Sequence, residues 1–254
     1  MAVSGKIALV TGGADGIGKA IVFKLLEEQA KGVAILDINE ANLKKTEDEI
    51  KDKFGNERSI TIKCDVTSQA LLKEAFQQAK AHFGTLDIVC NNAGIVNEVN
   101  WSLMIDVNLK GVMHGTYLAI DMMGTRNGGN GGTVVNMSSV ASLRCVPYMA
   151  AYTATKHGIR SFSVALQEQV QCKDNGITIK VLCPSLVATR LIKEDFVVDD
   201  ESEKVFVSAK RDATPKLSTD DVANAFIKLL ESKEMILLVA VEGNKEIPSK
   251  SFLG

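Results

Sequence analysis

The stretch that decides the fold is IALVTGGADGIGKAIVFKLL at residues 7–26. Its apolar start, Ile7–Val10, predicts a buried strand, and Gly18–Gln29 has the spacing of a helix. Glycines stand at three positions of the turn between them, where a missing Cβ lets backbone N–H groups and the helix N-terminus meet a phosphate. A tight turn that needs glycine only for its own dihedral angles is the alternative, because the spacing is not the commoner GxGxxG. The turn residues expected to contact a nucleotide are Gly12, Asp15, Gly16, Ile17 and Gly18.

Short apolar runs recur along the chain, most of them followed by a turn and a longer stretch with helical spacing. The further predicted strands are Val33–Leu36, Ile60–Lys63, Leu86–Cys90, Thr133–Met137, Thr178–Leu182 and Ile236–Val239. The further predicted helices are Glu40–Phe54, Ala70–Phe83, Leu103–Met123, Tyr152–Cys172 and Thr219–Ser232, the last capped by Ser218 or Thr219. Strands that are apolar nearly throughout are covered by helices on both faces. We therefore predict an α/β fold: a Rossmann-type, doubly wound parallel sheet of about seven strands, forming a single domain over residues 1–254.

One stretch, Ile192–Lys216, interrupts this rhythm. It mixes acidic residues with short apolar runs and lacks a clear strand. A lid over a ligand site is one interpretation, and a plain surface insertion is the other. The sequence leaves both open, so residues 192–216 are a candidate substrate-site lid.

Composition narrows the classes of partner. The 254 residues include 29 basic and 31 acidic ones, and the net charge of -2 argues against a general attraction to nucleic acid or to an anionic membrane. No segment is long and apolar enough for a membrane span or for the core of a signal peptide. The five cysteines show no paired metal-type spacing, which predicts reduced thiols and a cytoplasmic protein. The three histidines are scattered, and we predict no metal site.

An acidic residue ends the second predicted strand, nineteen residues after the last glycine of the turn. Asp37 is suited to accept hydrogen bonds from the ribose hydroxyls of an adenosine, and its charge repels a 2′-phosphate. Ile38 follows it, where an arginine would favour NADP. These two residues predict NAD as the cofactor, although Lys19 would weaken that preference if it reached the ribose. A solvated acid at a strand end is the alternative interpretation of Asp37.

Polar residues also follow the third and fourth predicted strands, at the edge where an adenine would lie. Asp65 can accept a hydrogen bond from the exocyclic amine, whereas Asn91 and Asn92 can either bind adenine or brace the neighbouring backbone. Turn chemistry alone also selects aspartate and asparagine at such places. The residues predicted to contact the nucleotide here are Cys64, Asp65, Val66, Asn91, Asn92 and Ala93.

Two residues of one predicted helix suggest acid–base chemistry. Tyr152 and Lys156 lie four residues apart, so their side chains share a helix face one turn apart. A free phenol has a pKa of about 10, and a nearby ammonium group lowers that pKa by favouring the phenolate. Ser139, shortly after a predicted strand, supplies a hydroxyl that can orient a substrate oxygen. A tyrosine and a lysine four residues apart are more often a stacked surface pair, but the order of this pair after the glycine turn, Asp37 and NNAG is much more specific.

This order of motifs resembles that of the short-chain dehydrogenase/reductase family, through TGGADGIG, NNAG, the serine in NMSS, and YTATK. The resemblance covers roughly residues 5–190. It implies that Ser139 orients the substrate, that Tyr152 is the general acid/base, and that Lys156 binds the ribose and lowers the pKa of Tyr152. Asn108 matches the family asparagine that helps hold a water linking the lysine to solvent. The residues that match the segment at the nicotinamide end are Pro184, Val187 and Thr189.

The resemblance implies hydride transfer between NAD and an alcohol or ketone substrate. Met149, three residues before Tyr152, is expected to contact the substrate. A similar member of the family has a substrate-binding glutamine at this position, so one polar contact is missing here. Apolar residues around the expected pocket favour a lipid, sterol, terpenoid or aliphatic alcohol, unless they are simply core. These residues are Val96, Leu143, Val146, Met149, Leu186 and Phe196–Val198.

Other functions remain as alternatives. A non-catalytic dinucleotide-binding protein is disfavoured because the serine, the tyrosine and the lysine are all present. An NADPH-preferring carbonyl reductase is disfavoured by Asp37 and Ile38. Helices of this family pair across a two-fold axis, which implies a homo-oligomer, although burial within one subunit explains the apolar helices nearly as well.

Overall fold

The apolar run at Ile7 forms a strand that is buried on both sides. Ile7 and Leu9 face one layer of helices, whereas Ala8 and Val10 face the other. The alternation follows from the two-residue period of a strand, and it shows why the run contains no polar side chain. The structure is a computed structural model that describes residues 3–189, 216–240 and 243–247.

The strands form one sheet in the order β3-β2-β1-β4-β5-β6-β7-β8. Strands β1 to β7 run parallel, and β1 lies between β2 and β4, which is the switch point where the order reverses. The bounds are β1 Ile7–Thr11, β2 Gly32–Asp37, β3 Ser59–Lys63, β4 Ile88–Asn91, β5 Gly132–Met137, β6 Ile177–Pro184, β7 Ile236–Val239 and β8 Lys245–Ile247. The predicted Rossmann-type single domain is confirmed, and its crevice lies at the carboxyl ends of β1 and β4.

The sheet has eight strands where about seven were predicted. The additional strand, β8, is three residues long and pairs antiparallel with β7 at the edge of the sheet. Its sequence, KEI, has no apolar run, and its two charged residues are exposed. A short polar edge strand carries no periodic signal, so the sequence did not indicate it.

Helices cover both faces of the sheet. The bounds are α1 Gly16–Glu27, α2 Glu40–Phe54, α3 Gln69–Phe83, α4 Trp101–Ile105, α5 Val112–Met123, α6 Ala150–Gln167, α7 Val170–Lys173 and α8 Thr219–Glu231. Helices α1 and α8 pack on one face of the sheet, and α3, α5 and α6 pack on the other. The predicted cap of α8 is confirmed at Ser218, which forms a reciprocal capping box with Asp221.

Two predicted helices are interrupted. The helix expected over Leu103–Met123 starts at Trp101 and contains a π-helical segment, Asp106–Gly111, between α4 and α5. Such segments are often found at functional sites. The helix expected over Tyr152–Cys172 ends at Gln167, and α7 follows as a separate turn. Gly111 ends the first interruption, but an isolated glycine does not by itself predict a π-helical segment, and no proline or glycine marks the second interruption.

The candidate lid is the one predicted feature that cannot be compared with the fold. Residues 192–215 lie outside the described residues, and so does the apolar run Phe196–Val198. Among the described residues, no helix is long and apolar enough to cross a membrane.

Candidate active site

Of the four glycines in TGGADGIG, the three predicted to contact a nucleotide have different surroundings. A Cβ on Gly18 would lie 2.0 Å from the carbonyl oxygen of Gly12, and a Cβ on Gly12 would lie 2.9 Å from the Cα of Ala93. Both positions are therefore closed by the protein's own backbone. A Cβ on Gly16 would meet only the Thr189 side chain, at 3.7 Å, although its φ of +52° also favours glycine. Of the three, only Gly16 borders space that a ligand can approach.

The turn also begins the first helix. Asp15 is the N-cap of α1, and its carboxylate accepts a hydrogen bond from the Gly16 N–H at 2.8 Å. Ile17 packs partly against the core on the α1 side of the sheet. The predicted turn residues are thus held by both the helix and the core.

Asn92 holds the glycine turn against the end of β4. Its side-chain amide donates to the carbonyl oxygens of Thr11 and Gly12, at 3.0 and 3.1 Å. The Thr11 hydroxyl accepts from the backbone N–H groups of Asn92 and Ala93, at 3.0 and 3.1 Å. Of the two roles that the sequence left open for Asn92, the structure therefore shows bracing of the backbone.

Asp37 ties the end of β2 to the same turn. One carboxylate oxygen accepts from the Ala14 N–H at 3.1 Å, and the other accepts from the Asn39 N–H at 3.0 Å. A carboxylate has about four lone-pair positions, so these two bonds leave acceptor capacity for ribose hydroxyls. Ile38 is exposed next to it, and Lys19 forms an ion pair with Glu49 at 2.7 Å. Lys19 is therefore already paired with a carboxylate on α2.

The side chain of Asn91 is bonded beneath the crevice, and its expected contact with the nucleotide stays a prediction. It is 2% exposed, and its amide donates to Thr116 at 3.1 Å and to Asn136 at 2.8 Å. Strand β4 extends one residue beyond its predicted end, so the side chain of Asn91 points under α5 while Asn92 faces the glycine turn. The side chain of Asn91 joins β4, β5 and α5, and only its backbone remains near the crevice.

The residues after β3 are also mostly buried. Cys64 belongs to the core, and burial raises the pKa of its thiol to about 11. Val66 packs toward Gly111, where an added Cβ would lie 3.1 Å away. Asp65 accepts from the backbone and the hydroxyl of Thr67 through one oxygen, at 2.9 and 2.8 Å. Of these three residues, Asp65 is the one with a carboxylate available to a ligand.

Three predicted catalytic side chains meet at the carboxyl ends of the central strands. Tyr152, on the first turn of α6, is hydrogen-bonded to Ser139, which follows β5. The Lys156 Nζ lies 5.4 Å from the centre of the Tyr152 ring and donates to the carbonyl oxygen of Met137 at 3.1 Å. A Cβ on Gly94, just beyond β4, would lie 3.8 Å from that Nζ. The group therefore adjoins the same crevice as the glycine turn.

The electrostatics of this group differ from the expectation. Burial raises the pKa of Tyr152 to about 12, and the hydrogen bond with Ser139 opposes that rise. Burial lowers the pKa of Lys156 to about 8. The two causes that act on the pKa of Tyr152 are thus burial, which disfavours the phenolate, and the hydrogen bond with Ser139, which favours it.

Asn108 lies in the π-helical segment and is fully buried. Its side chain makes two bonds of 2.8 Å to the backbone of Ile95, accepting from the N–H and donating to the carbonyl oxygen. A Cβ on Gly94 would lie 3.4 Å from the Asn108 oxygen. The structure therefore brings Asn108 close to Lys156 and uses its side chain to fix the loop after β4.

The end of β6 and the residues that follow it lie between Ser139 and the glycine turn. The carbonyl oxygen of Pro184 accepts from the Ser139 hydroxyl at 3.5 Å. Val187 forms an isolated bridge with Leu217 and packs against the core. Thr189 lies beside Gly16. This segment thus connects the predicted substrate serine with the glycine turn.

An apolar wall adjoins the tyrosine. Met149 is buried in a small cluster that is separate from the two main layers. The cluster consists of Val96, Met104, Ala141, Met149 and Tyr152, with Ile95, Val146 and Ala151 packed against it. Leu143 packs instead against the core under α6, so for this residue the alternative that it is simply core applies.

One residue of the site was missed by the sequence analysis. Glu98 is 7% exposed, and its two carboxylate oxygens accept from the backbone N–H groups of Tyr152 at 2.8 Å and Ala151 at 3.0 Å. It lies 54 residues before the tyrosine, so no local pattern connects them. The only signal was indirect: the N-cap residue of α6 is Met149, which has no oxygen or nitrogen in its side chain to cap a helix.

The chain belongs to the short-chain dehydrogenase family. The sequence profile of that family, described as short chain dehydrogenase, matches residues 6–197. Among the described residues, no group of three or more histidine, cysteine, aspartate or glutamate side chains could hold a metal ion.

Among curated proteins, the chain is 37% identical over 235 residues to rat 15-hydroxyprostaglandin dehydrogenase [NAD(+)], covering 91% of this chain and 88% of the relative. The human enzyme of the same name is 40% identical over 193 residues, covering 76% and 72%. A diacetyl reductase, (S)-acetoin forming, from Staphylococcus epidermidis is 31% identical over 211 residues, covering 79% of each chain. The alignment of 235 residues extends the resemblance beyond residues 5–190.

Solved structures share the fold. A short-chain dehydrogenase/reductase from Burkholderia phymatum, determined in complex with NAD, superposes with a TM-score of 0.82 at 24% identity, covering 94% of this chain and 90% of that one. Levodione reductase superposes with a TM-score of 0.78 at 21% identity, covering 94% and 96%. At this level of identity the likeness concerns the fold alone.

Proposed function

We propose that this chain is an NAD-dependent dehydrogenase that oxidises a secondary alcohol to the ketone. The observation that carries the proposal is the meeting of Ser139, Tyr152 and Lys156 beside the glycine turn. Family membership and the relatives named for NAD(+) support the same assignment. A non-catalytic dinucleotide-binding protein would not need this arrangement.

The residues of the crevice fit NAD. The open approach at Gly16, the N-terminus of α1 and the spare acceptor capacity of Asp37 suit a pyrophosphate and an adenosine ribose without a 2′-phosphate. When bound, NAD⁺ supplies the hydride acceptor. The backbone contacts that fix the turn come from Asn92 and Thr11, which hold it in one geometry.

The proton chemistry belongs to the side chains of the chain itself. In the proposed reaction the phenolate of Tyr152 takes the hydroxyl proton of the alcohol, and the same phenol returns a proton in the direction of reduction. Ser139 positions the substrate oxygen through its hydroxyl. Lys156, held by the Met137 carbonyl, keeps a positive charge near the phenol at pH values below its pKa of about 8.

The apolar wall favours an apolar substituent on the alcohol. Val96, Met104 and Met149 border Tyr152, and they offer no polar group to a hydroxylated chain. A lipid, prostaglandin-like, sterol, terpenoid or aliphatic alcohol fits this surface better than a small polyol. Prostaglandin itself is one member of this class, and the methionine at position 149 gives no reason to prefer it.

NADH formation tests the proposal directly. The formation of NADH at 340 nm is followed with prostaglandins, sterols, terpenols, aliphatic secondary alcohols and small polyols, with NAD⁺ and with NADP⁺ in parallel. We expect turnover with NAD⁺ and with the apolar alcohols. Equal turnover of polyols and apolar alcohols would contradict the substrate class, and no NADH from any alcohol would contradict the enzyme.

The cofactor preference is expected to depend on the charge of Asp37. Asp37→Asn keeps the oxygen that can accept from the Ala14 N–H but loses the charge, whereas Asp37→Ala loses both. We expect kcat/KM with NAD⁺ to fall about tenfold in Asp37→Asn, since a hydrogen bond to a charged group contributes about 1.5–3 kcal/mol, and activity with NADP⁺ to rise. Steady-state kinetics with both cofactors check this. An unchanged NAD⁺/NADP⁺ ratio in both variants would count against the assignment.

We also propose a homo-oligomer, a dimer or tetramer. Tyr117 on α5 is 45% exposed and stacks edge-on against Phe162 of α6 with ring centres 5.7 Å apart. The exposed ring of Tyr117, resting on the partly buried Phe162, supports an interface on the face formed by these two helices. Sedimentation velocity at micromolar concentration checks the state, and a single monomeric species would contradict it.

We further propose that the protein works in the cytoplasm. All five cysteines are free, and four of them are buried. Free thiols persist where the compartment is reducing, which supports this location. Cell fractionation followed by immunodetection checks it, and recovery in a secreted or organellar fraction would contradict it.

A further inference from the structure

We propose that Glu98 is a positioning residue that sets the place of Tyr152 by capping the catalytic helix from another segment of the chain. The inference rests on the proposed function, because it assigns a role in the same reaction. Both hydrogen bonds of the Glu98 carboxylate go to backbone N–H groups and not to the phenol. Glu98 acts on the tyrosine through the backbone, with bonds of 2.8 and 3.0 Å to the N–H groups of Tyr152 and Ala151.

The start of α6 lacks a cap of its own. The N-cap residue is Met149, the first turn holds no acidic side chain, and no side chain of α6 caps the helix. The two N–H groups that Glu98 receives are those of the second and third helical residues, which an N-cap side chain would normally bond. A buried carboxylate therefore stands where serine or aspartate would act in an ordinary helix, and its charge is favourable at the positive end of the helix.

The chain enters this helix in a conformation that needs support. Tyr148 has a φ of +63°, one of only two such values at non-glycine positions among the described residues. Left-handed conformations of this kind persist only where the surroundings fix them. Residues 148–150 supply no side-chain cap to α6, so the carboxylate of Glu98 supplies the acceptors at the helix start.

Glu98 also links the tyrosine to the other half of the site. It belongs to the loop after β4, which is fixed at one end by the two bonds between Ile95 and Asn108. At the other end the Asn97 N–H bonds the Met104 sulfur at 3.4 Å, and Asn97 in turn accepts from the Asn100 N–H at 2.8 Å. Through Glu98, the backbone of Tyr152 is therefore bonded to the same loop that Asn108 fixes at Ile95.

The experiment compares wild type, Glu98→Gln and the matched control Ser68→Ala. Glutamine keeps the length of the side chain, but only its carbonyl oxygen can accept a hydrogen bond. Its NH₂ group, which is a donor, would face the second backbone N–H, which is also a donor. Ser68 caps α3, a helix that carries no site residue, by accepting from the Leu71 N–H at 3.3 Å. Each protein is assayed for kcat, for KM with NAD⁺, for the fraction able to bind NADH by fluorescence, and for amide hydrogen exchange over residues 149–156.

We expect Glu98→Gln to lower kcat about tenfold per active site, in line with the cost of small misplacements of catalytic groups. The KM for NAD⁺ should stay within roughly twofold, because the glycine turn is untouched. Exchange at Ala151 and Tyr152 should accelerate. Ser68→Ala should lower thermal stability and leave kcat per active site unchanged.

Other results overturn the inference. An unchanged kcat in Glu98→Gln, or a loss that merely follows the fraction of folded protein, would show that Glu98 is only structural. Unchanged exchange over residues 149–156 would overturn it even if no alcohol is turned over. A wild-type protein that forms no NADH contradicts the proposed function instead, and the exchange measurement still decides whether Glu98 caps the helix.

Discussion

Tyr152→Phe is expected to lower kcat/KM for alcohol oxidation about a thousandfold, within the range found for general acid–base catalysis. Phenylalanine keeps the ring that packs against Val96, Met104 and Met149, and it removes only the hydroxyl. The free energy of unfolding should therefore change little. Steady-state kinetics with the best alcohol of the panel, together with urea unfolding, check both statements.

The pH dependence provides a second test of the same residue. Oxidation needs the phenolate, and burial raises the pKa of Tyr152 to about 12. The wild-type rate of oxidation should therefore rise with pH from neutrality, by up to about tenfold per pH unit where one proton is lost. The rise should become less steep above the Lys156 pKa of about 8, where the positive charge beside the phenol is lost. The residual activity of Tyr152→Phe should lose this rise. Tyr117→Phe, at an exposed tyrosine outside the site, is the matched control and should behave as wild type. A phenylalanine variant with the wild-type rate would refute the mechanism.

Gly18→Ala is expected to have the second largest effect, on stability and on cofactor binding together. The new Cβ would lie 2.0 Å from the Gly12 carbonyl oxygen and 2.5 Å from the Asn92 side-chain nitrogen. Since the first of these is backbone, the turn itself must move. Overpacking of this kind lowers the free energy of unfolding by about 3 kcal/mol. A turn displaced at the same cost in the complex would weaken NAD binding about a hundredfold.

Gly158→Ala is the control for that substitution. Its Cβ would meet the Leu109 side chain at 3.1 Å, and a flexible side chain can move. Urea unfolding and NADH titration are measured for both variants. An unchanged affinity for NADH in Gly18→Ala would mean that the turn does not depend on the close approach seen here.

The sequence predicted the frame of this protein well because its signals are local. Strand β7 and helix α2 have the predicted bounds, and most other elements differ by one or two residues at their ends. Buried strands and amphipathic helices are periodic, and the order of Ser139, Tyr152 and Lys156 is written directly in the chain. These parts of the fold and site need no knowledge of long-range contacts.

The remaining features depended on contacts that no local pattern carries. The sequence left two roles open for Asn91, binding adenine or bracing the backbone, and its buried bond to Asn136 beneath α5 depends on a contact between two strands. The glycines of the turn were read as space for a phosphate, whereas Gly12 and Gly18 are closed by the backbone of their own fold. Glu98 reaches its partner across 54 residues. Predicting each of these features would have required the distances between segments that lie far apart in the sequence.

The π-helical segment Asp106–Gly111 makes the orientation of α5 sensitive to insertion or deletion of a residue. A wider turn takes up one more residue than an α-helix would, so the rotational phase of α5 is set independently of α4. Each residue rotates an α-helix by about 100°. Adding or removing a residue in this segment would therefore turn Gly115 and Thr116 away from Asn91 while leaving the strands unchanged. The segment Asp106–Gly111 therefore separates two orientations, that of Asn108 toward the loop after β4 and that of α5 on the sheet.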